Sequence, residues 1–418
     1  MEILSEAGDR SLNPDRQMPR WAAFSQWVLV LSIFLSLEIE GLCLLFVCAR
    51  LLLRKKVYIS PRILLGFLAI VPISVITILY QEYPFGKFLQ QSVLLLGFTL
   101  LEADFFHFNL DWLDSLFRKY LYVSLAVACS GLIQQLLWTT SGINIFTFFF
   151  RDTGRLTGFA MMEPGRLAGV LLPAFVYYLF STRLHKALVQ KTILLFAIFL
   201  TDGAAAIALV PVVAAARLCY VYGKGFVRKR LFFAACVIAI FMSAISAFLM
   251  KNDWDVSEHR TLYMIKSVGE LFDDQSLDSI ERQNLSTYAF AKNLWVALHS
   301  PSRIIGTGLG THEFNHDSVY SVIANNEFYF LNREDGYSLL IRIFSEFGIV
   351  GLIVVLFCFV RWYNPKNLIN FSVSFVLMAF FLRGGHYVLN GTIFFVMLYY
   401  FTARRGGKKP SERNLRKN

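Results

Sequence analysis

Apolar runs of roughly 17–25 residues recur along this chain, the length that carries a helix across the hydrocarbon core of a bilayer. Backbone N–H and C=O groups in lipid must find partners within the chain, so such runs become helices. The short alternating segments of a β-barrel are absent. Over 418 residues the sequence is 56% hydrophobic with a mean hydropathy of +0.53. The expected class is therefore all-α, a polytopic membrane protein with about 11–12 transmembrane helices. One long stretch, from Lys251 to Gly336, is neither strongly apolar nor a short connector.

Charge orients the bundle. Basic clusters at 54–62, 183–191, 224–230, 361–366 and 404–417 fall on one side of the alternating spans, which makes that side cytoplasmic. The 251–342 region carries thirteen Asp/Glu against eight Lys/Arg, so the net charge of +11 is a positive-inside pattern and not a nucleic-acid footprint. The expected organisation is a polar cytoplasmic arm without a cleavable signal peptide (1–20), then a bundle over 21–250 with an external loop near 141–165. A large external loop (251–336), C-terminal spans (337–403) and a basic cytoplasmic tail (404–418) follow.

Along the bundle, helices are expected near Arg62–Tyr80, Phe85–Leu101, Lys119–Thr139 and Arg166–Phe180, with Glu102–Lys119 as an interfacial amphipathic segment. Leu194–Ala216 should break into two short helices at Thr201-Asp202-Gly203. An amphipathic helix is expected over Ser286–Leu298, and spans over Ser338–Val360, Leu368–Leu382 and Leu389–Phe401. The six cysteines (43, 48, 129, 219, 236 and 358) fall in or beside apolar runs and read as small buried hydrophobes.

Three polar clusters converge on the external face. The first runs from Arg155 through Gly158, Glu163, Pro164 and Gly165 to Arg166. Boundary arginines of this kind either snorkel to lipid headgroups or serve a site. The second holds Arg282, then Gly306-Thr-Gly308-Leu-Gly310, then His312 and His316. The glycines could cradle a phosphate, but no Rossmann strand precedes them and no Walker lysine follows. Two histidines four apart invite a metal, without a third ligand nearby. Ordinary loop structure accounts for both features. The third runs from Arg333-Glu334-Asp335-Gly336-Tyr337 to Arg342 and Glu346, four apart on one apolar helix, with Arg383-Gly384-Gly385-His386 at the last outer turn. Ionisable groups at membrane depth face a cavity or a partner, and an i,i+4 pair neutralises itself. Arg155, Arg282, Arg342 and Arg383 together suit a polyanion, because guanidinium stays charged and binds phosphate bidentately.

Three motifs, in order, carry a family resemblance: Arg155-x-x-Gly158-x-x-x-x-Glu163-Pro164, Gly306-Thr-Gly308-Leu-Gly310 and Ser345-Glu346-x-Gly348-Ile-x-Gly351. With the large loop before the last spans, the chain resembles the O-antigen polymerase/ligase superfamily of bacterial membrane glycosyltransferases, which is Wzy-like and GT-C-like in fold. The Arg383-Gly384-Gly385 turn resembles exopolysaccharide-type members. The resemblance implies an enzyme of the bacterial inner membrane with its site facing the periplasm. Its donor would be an undecaprenyl-pyrophosphate-linked glycan, transferred with inversion, without metal or cofactor, into O-antigen, capsule or exopolysaccharide. It implies Arg155 and Arg282 on the pyrophosphate, Arg342 and Arg383 as further ligands, Glu163 towards the acceptor hydroxyl, and Gly158, Pro164, Gly308 and Glu346 in support. A chain-length regulator and a flippase are the expected protein partners; nucleic acid is not.

Ligase members carry a histidine ahead of the Glu-x-Gly helix, where this chain has Asp335-Gly336-Tyr337-Ser338. That departure favours polymerase over a ligase that transfers glycan to lipid A–core or protein. A polysaccharide exporter or flippase without catalysis is the third reading. It would thread charge through the bundle instead of gathering it at one face.

Overall fold

The computed structural model describes residues 20–34, 61–106, 110–143, 156, 164–181, 187–201, 203–222, 285–320, 330–384, 386–387 and 391–403. The terminal arm and tail, the 223–284 stretch, and Arg155, Gly158, Glu163 and Arg282 lie outside them. The described residues form twelve helices and no strand. These are α1 (Arg20–Phe34), α2 (Pro61–Tyr80), α3 (Phe85–Phe106), α4 (Leu110–Ser141), α5 (Pro164–Ser181), α6 (Leu188–Leu200), α7 (Ala204–Tyr222), α8 (Leu285–Leu298), α9 (His312–Tyr320), α10 (Leu339–Trp362), α11 (Leu368–Leu382) and α12 (Thr392–Ala403).

α5 is the axis of the bundle. It is apolar on every face, the mark of a helix surrounded by others, and it is buried without interruption from Leu167 to Val176. Gly169 lets α11 approach, with Phe380 and Ala379 in contact distance of the missing Cβ. α4, α6 and α7 pack around the remaining faces. Pro173 sits inside α5 and weakens its ladder; the Tyr120 hydroxyl of α4 donates to the Val170 carbonyl in that turn.

The expected break at 201–203 is present. α6 ends at Leu200 and α7 begins at Ala204, with Gly203 tight against Ala168 and Gly165 of α5. The segment expected as one interfacial helix over Glu102–Lys119 is instead the end of α3 and the start of α4. Leu113, Leu116 and Phe117 are buried in the core with α1 residues Ile33 and Phe34. Their helix-spaced apolar face packs against protein, which is why amphipathicity alone suggested an interface.

α10 inverts the pattern of a water-soluble helix. Its first turns bury Arg342, Ser345 and Glu346, whereas Ile349, Val350, Ile353, Val354, Phe357 and Val360 farther along are exposed. Two helical stretches are long and apolar enough to cross a membrane: Trp112–Ser141, and Leu339–Trp362 with a mean hydropathy of 2.6. Five shorter apolar stretches accompany them among the described residues. Helices of this length and apolarity point to membrane association.

The glycine motif has a structural job. α10 is kinked at Gly348 (φ 63°, ψ −163°), which frees backbone groups that must be satisfied. The 303–308 loop supplies the partners: Ile349 N donates to Arg303 O (2.9 Å), Val350 N to Ile304 O (3.1 Å), and Gly308 N to Glu346 O (2.7 Å). A Cβ on Gly306 would sit 2.2 Å from Glu346 O, and one on Gly348 2.3 Å from Ile304 O. The glycines admit backbone to backbone, with α2 behind them, where Ser74 Oγ accepts from Leu309 N (3.1 Å). No phosphate cradle is needed to explain them.

Gly306→Ala combines a positive φ (75°) with that clash, and should lower stability by about 3 kcal/mol. Gly86→Ala, with nothing within 4 Å of the new methyl, should stay within about 1 kcal/mol of wild type. Thermal unfolding of the two variants in detergent checks the contrast; equal melting points would refute the lock.

Candidate functional site

One tight turn, Asp335-Gly336-Tyr337, gathers the polar side chains at one end of the bundle. It lies just before α10, whose N-cap Ser338 accepts from Ile341 N through its side chain. Both Gly336 (φ 67°) and Tyr337 (φ 64°) are left-handed. An aromatic residue there is strained by about 1–2 kcal/mol and persists only where its surroundings fix it. Here they do. Tyr337 N donates to Asp335 Oδ1 (3.1 Å), and Tyr337 O accepts from Gly384 N (3.0 Å).

Asp335 is buried and ringed by donors. Arg166 Nη2 of α5 stands 3.0 Å from Oδ2, Asn332 Nδ2 donates to Oδ1 at 2.8 Å, and His386 Nε2 lies 3.5 Å from Oδ2. Burial alone would raise its pKa. His386, Arg166 and the two hydrogen bonds outweigh that and hold it below the usual aspartate value, so it stays charged.

Gly336 brings α9 and α10 together, since a Cβ there would meet Arg342 Cβ at 3.1 Å and His312 Nε2 at 3.2 Å. Arg342 and Glu346 form the expected i,i+4 pair at 3.0 Å (Nε–Oε1), both essentially inaccessible. Tyr387 closes the group, donating to Glu346 Oε2 at 2.8 Å while Arg342 lies 4.5 Å over its ring. Arg342 thus braces Glu346 and Tyr387 and is turned inward. Arg383 faces the other way. It lies over the Tyr337 ring (5.3 Å), and its Nε is 3.1 Å from where a Gly165 Cβ would stand, in the first turn of α5. Leu156, one peptide bond beyond Arg155, is buried on Gly131 and donates to Leu200 O (2.9 Å), beside the α6–α7 break that touches Gly165.

The structure therefore brings Arg342, Glu346, Arg383 and the start of α5 at Pro164 to one end. It puts Gly308 in the α10 lock, its N–H on the Glu346 carbonyl (2.7 Å). Arg166, Asp335 and His386 stood within the sequence clusters without assigned roles, and the structure makes them central. Lys292, Asn293, Asn315 and Tyr387 were missed. Lys292 is fully buried, 5.8 Å from the Tyr288 ring. The signal was there, because Tyr288, Lys292 and Val296 repeat every four residues on one face of α8.

The two histidines are held by protein partners. His312 Nε2 pairs with Asn293 Oδ1 (2.9 Å), whose amide nitrogen donates to Ala289 O, so Nε2 carries the proton. His316 Nδ1 faces Asp317 at 3.4 Å. Among the described residues no group of three His, Cys, Asp or Glu stands close enough to hold a metal ion. Burial, with Arg342 nearby, pushes His312 down to about 3. Burial, with Lys292 nearby, pushes His316 down to about 4.

No protein-family model matches this sequence, and no curated protein sequence matches it.

His312 is neutral when folded at a pH where the unfolded chain, with a pKa near 6.5, is protonated. The unfolded state then binds the extra proton, so stability falls with pH between about 6.5 and 3. At pH 5 the loss from this one group is about 2 kcal/mol. Denaturant unfolding at pH 7 and 5 should show it, and His312→Asn should remove that share of the pH slope. An unchanged slope would contradict a neutral buried imidazole.

Proposed function

We propose that this chain is a polytopic, GT-C-like glycosyltransferase of the bacterial inner membrane. It polymerises undecaprenyl-pyrophosphate-linked repeat units into a surface polysaccharide on the periplasmic side. One observation carries the reading. Arg383 rests against the first turn of α5, next to the start of α10. Among the described residues Arg166, Arg342 and Arg383 gather there around Asp335, Tyr337 and Glu346. A cluster of guanidiniums at the end of an apolar-surfaced bundle suits a polyanion tethered to a lipid.

Orientation supports the same reading. Arg361 and Lys366 lie at the far end of α10 from this cluster, and positive-inside makes that end cytoplasmic. Among the described residues Arg166, Asp335, Arg342, Glu346 and Arg383 gather at one end of the bundle, which favours a site over a translocation path. The motif resemblance supplies the substrate class. In the reaction, the acceptor sugar's hydroxyl attacks the donor's anomeric carbon and undecaprenyl pyrophosphate leaves with the bonding electrons. Fixed guanidiniums stabilise the charge that develops on the leaving phosphate. In this reading Arg383 joins Arg155 and Arg282 on the pyrophosphate, and Arg342 holds the wall of the site through Glu346 and Tyr387.

Deletion of the gene should leave single-repeat glycans on the cell surface. Long chains in the deletion strain would refute polymerisation, and unattached lipid-linked polymer of normal length would instead mark a ligase. Complementation with Arg383→Ala should restore chain growth at about a hundredth of the wild-type rate or less. Arg282→Ala at full activity would remove that residue from the site.

A further inference from the structure

α10 is long enough to cross a bilayer, yet its exposed apolar face is too short to do so alone. That face begins at Ile349 and ends at Val360, which is about 17 Å at 1.5 Å per residue. The hydrocarbon core is about 30 Å thick. Nearer the outer end of α10, Arg342, Ser345, Glu346 and Gly348 are buried. The 303–308 loop and α8 pack against that outer part, so they stand at the depth of the helix they cover.

A second helix gives the same depth. The α2–α3 turn lies at the outer end of the bundle, where Lys87 pairs with Glu334 (3.0 Å) and Tyr83 donates to Asn315 of α9 (3.1 Å). Leu309 N meets Ser74 Oγ of α2, and α2 ends at Tyr80. The steps from 74 to 80 put the loop about 9 Å inward of that end.

Irregular backbone is tolerated at membrane depth only where protein satisfies its polar groups. This loop meets the condition. Arg303 O and Ile304 O accept from Ile349 N and Val350 N, Gly306 N donates to Ser302 O (2.9 Å), and Gly308 N donates to Glu346 O. Its outward side chains are apolar. Ile304 is 67% and Ile305 50% exposed, and Ile304 joins the exposed run of α10 at Val350. A loop bathed in water shows the reverse, with peptide groups turned outward and apolar side chains inward. Trp295 and Leu298, on the exposed face of α8, precede the loop. Trp295 stacks on His299 (3.9 Å between ring centroids), and tryptophan favours the headgroup boundary. Arg303, also exposed, has the reach to place its charge at the same level.

We infer that residues 303–309 form a re-entrant loop seated in the outer leaflet, with Ile304 and Ile305 among acyl chains and Trp295 at the headgroup boundary. Lipid is the occupant of this face because the face continues that of α10 and supplies the thickness that α10 leaves short. The 251–336 stretch is then not wholly external. Its part around 295–309 returns to the membrane and separates lipid from the wall around Glu346. The inference rests on the bundle crossing a bilayer and on none of the transfer chemistry.

The test places the photoreactive residue p-benzoylphenylalanine at single positions of the full chain in phosphatidylcholine nanodiscs, and reads lipid adducts by mass spectrometry after illumination. Ile305 and Trp295 report on the loop, Ile353 of α10 on lipid, and Glu334 on the aqueous face. Ile305 should take phospholipid about as well as Ile353 and about tenfold better than Glu334. Trp295, replaced by a side chain of similar size, should also exceed Glu334, and it decides the matter if the Ile305 variant does not fold. A lipid yield in the folded loop variant no higher than at Glu334, or adducts to a second copy of the chain in place of lipid, overturns the inference alone. No lipid at Ile353 overturns the membrane-spanning reading and the inference with it.

Discussion

The carboxylate of Asp335 ties the described site together. It joins Arg166 at the start of α5 to His386 in the turn after α11, and fixes the left-handed Tyr337 on which Arg383 lies. Taking a charged pair out of water costs several kcal/mol unless every donor and acceptor is matched. Here the matching is nearly complete, so the pair specifies one arrangement of α5, α10 and the α11–α12 turn. Removing either partner would leave a bare buried charge, a loss of about 3–5 kcal/mol. The site's geometry and the bundle's stability are therefore one problem at this residue.

The second constraint is the kink at Gly348. A straight α10 would keep its own ladder and leave the 303–308 loop without partners. Broken, it hands two N–H groups and the Glu346 carbonyl to that loop. The exchange sets where Glu346 sits relative to α9, whose Asn315 bonds Ser345 Oγ (2.8 Å) and Thr307 (2.7 Å). The 285–320 and 330–336 stretches are thus part of the wall around Glu346 and not a separate module. Their packing explains why glycine stands at 306 and 308, where a Cβ would meet the Glu346 backbone and Thr77.

Much of the helical layout was legible because apolar runs of this length leave little choice of structure. The break at 201–203, the helix at 285–298 and the Arg342–Glu346 pair were all readable from spacing. The polar contacts were not legible. Asp335, His386 and Tyr387 meet across some fifty residues of sequence, and no local pattern announces a contact of that range. Lys292 was hidden differently, since a lysine among aromatics looks like a solvated edge until its helix is seen from both sides. The glycine motif was recognisable, but its role depended on a kink in a helix that composition draws as straight. The Glu102–Lys119 segment misled for a related reason: an amphipathic face does not say whether protein or lipid covers it.

The central claim is that the Arg383 end of α5 and α10 holds a lipid-linked pyrophosphate. Native mass spectrometry of the intact protein, titrated with undecaprenyl pyrophosphate, undecaprenyl monophosphate and undecaprenol, tests it most directly. The account predicts that the pyrophosphate binds at least tenfold more tightly than the neutral alcohol, and that Arg383→Ala abolishes the difference. Equal binding of the three lipids, or a pyrophosphate preference that survives the loss of Arg383, would contradict it.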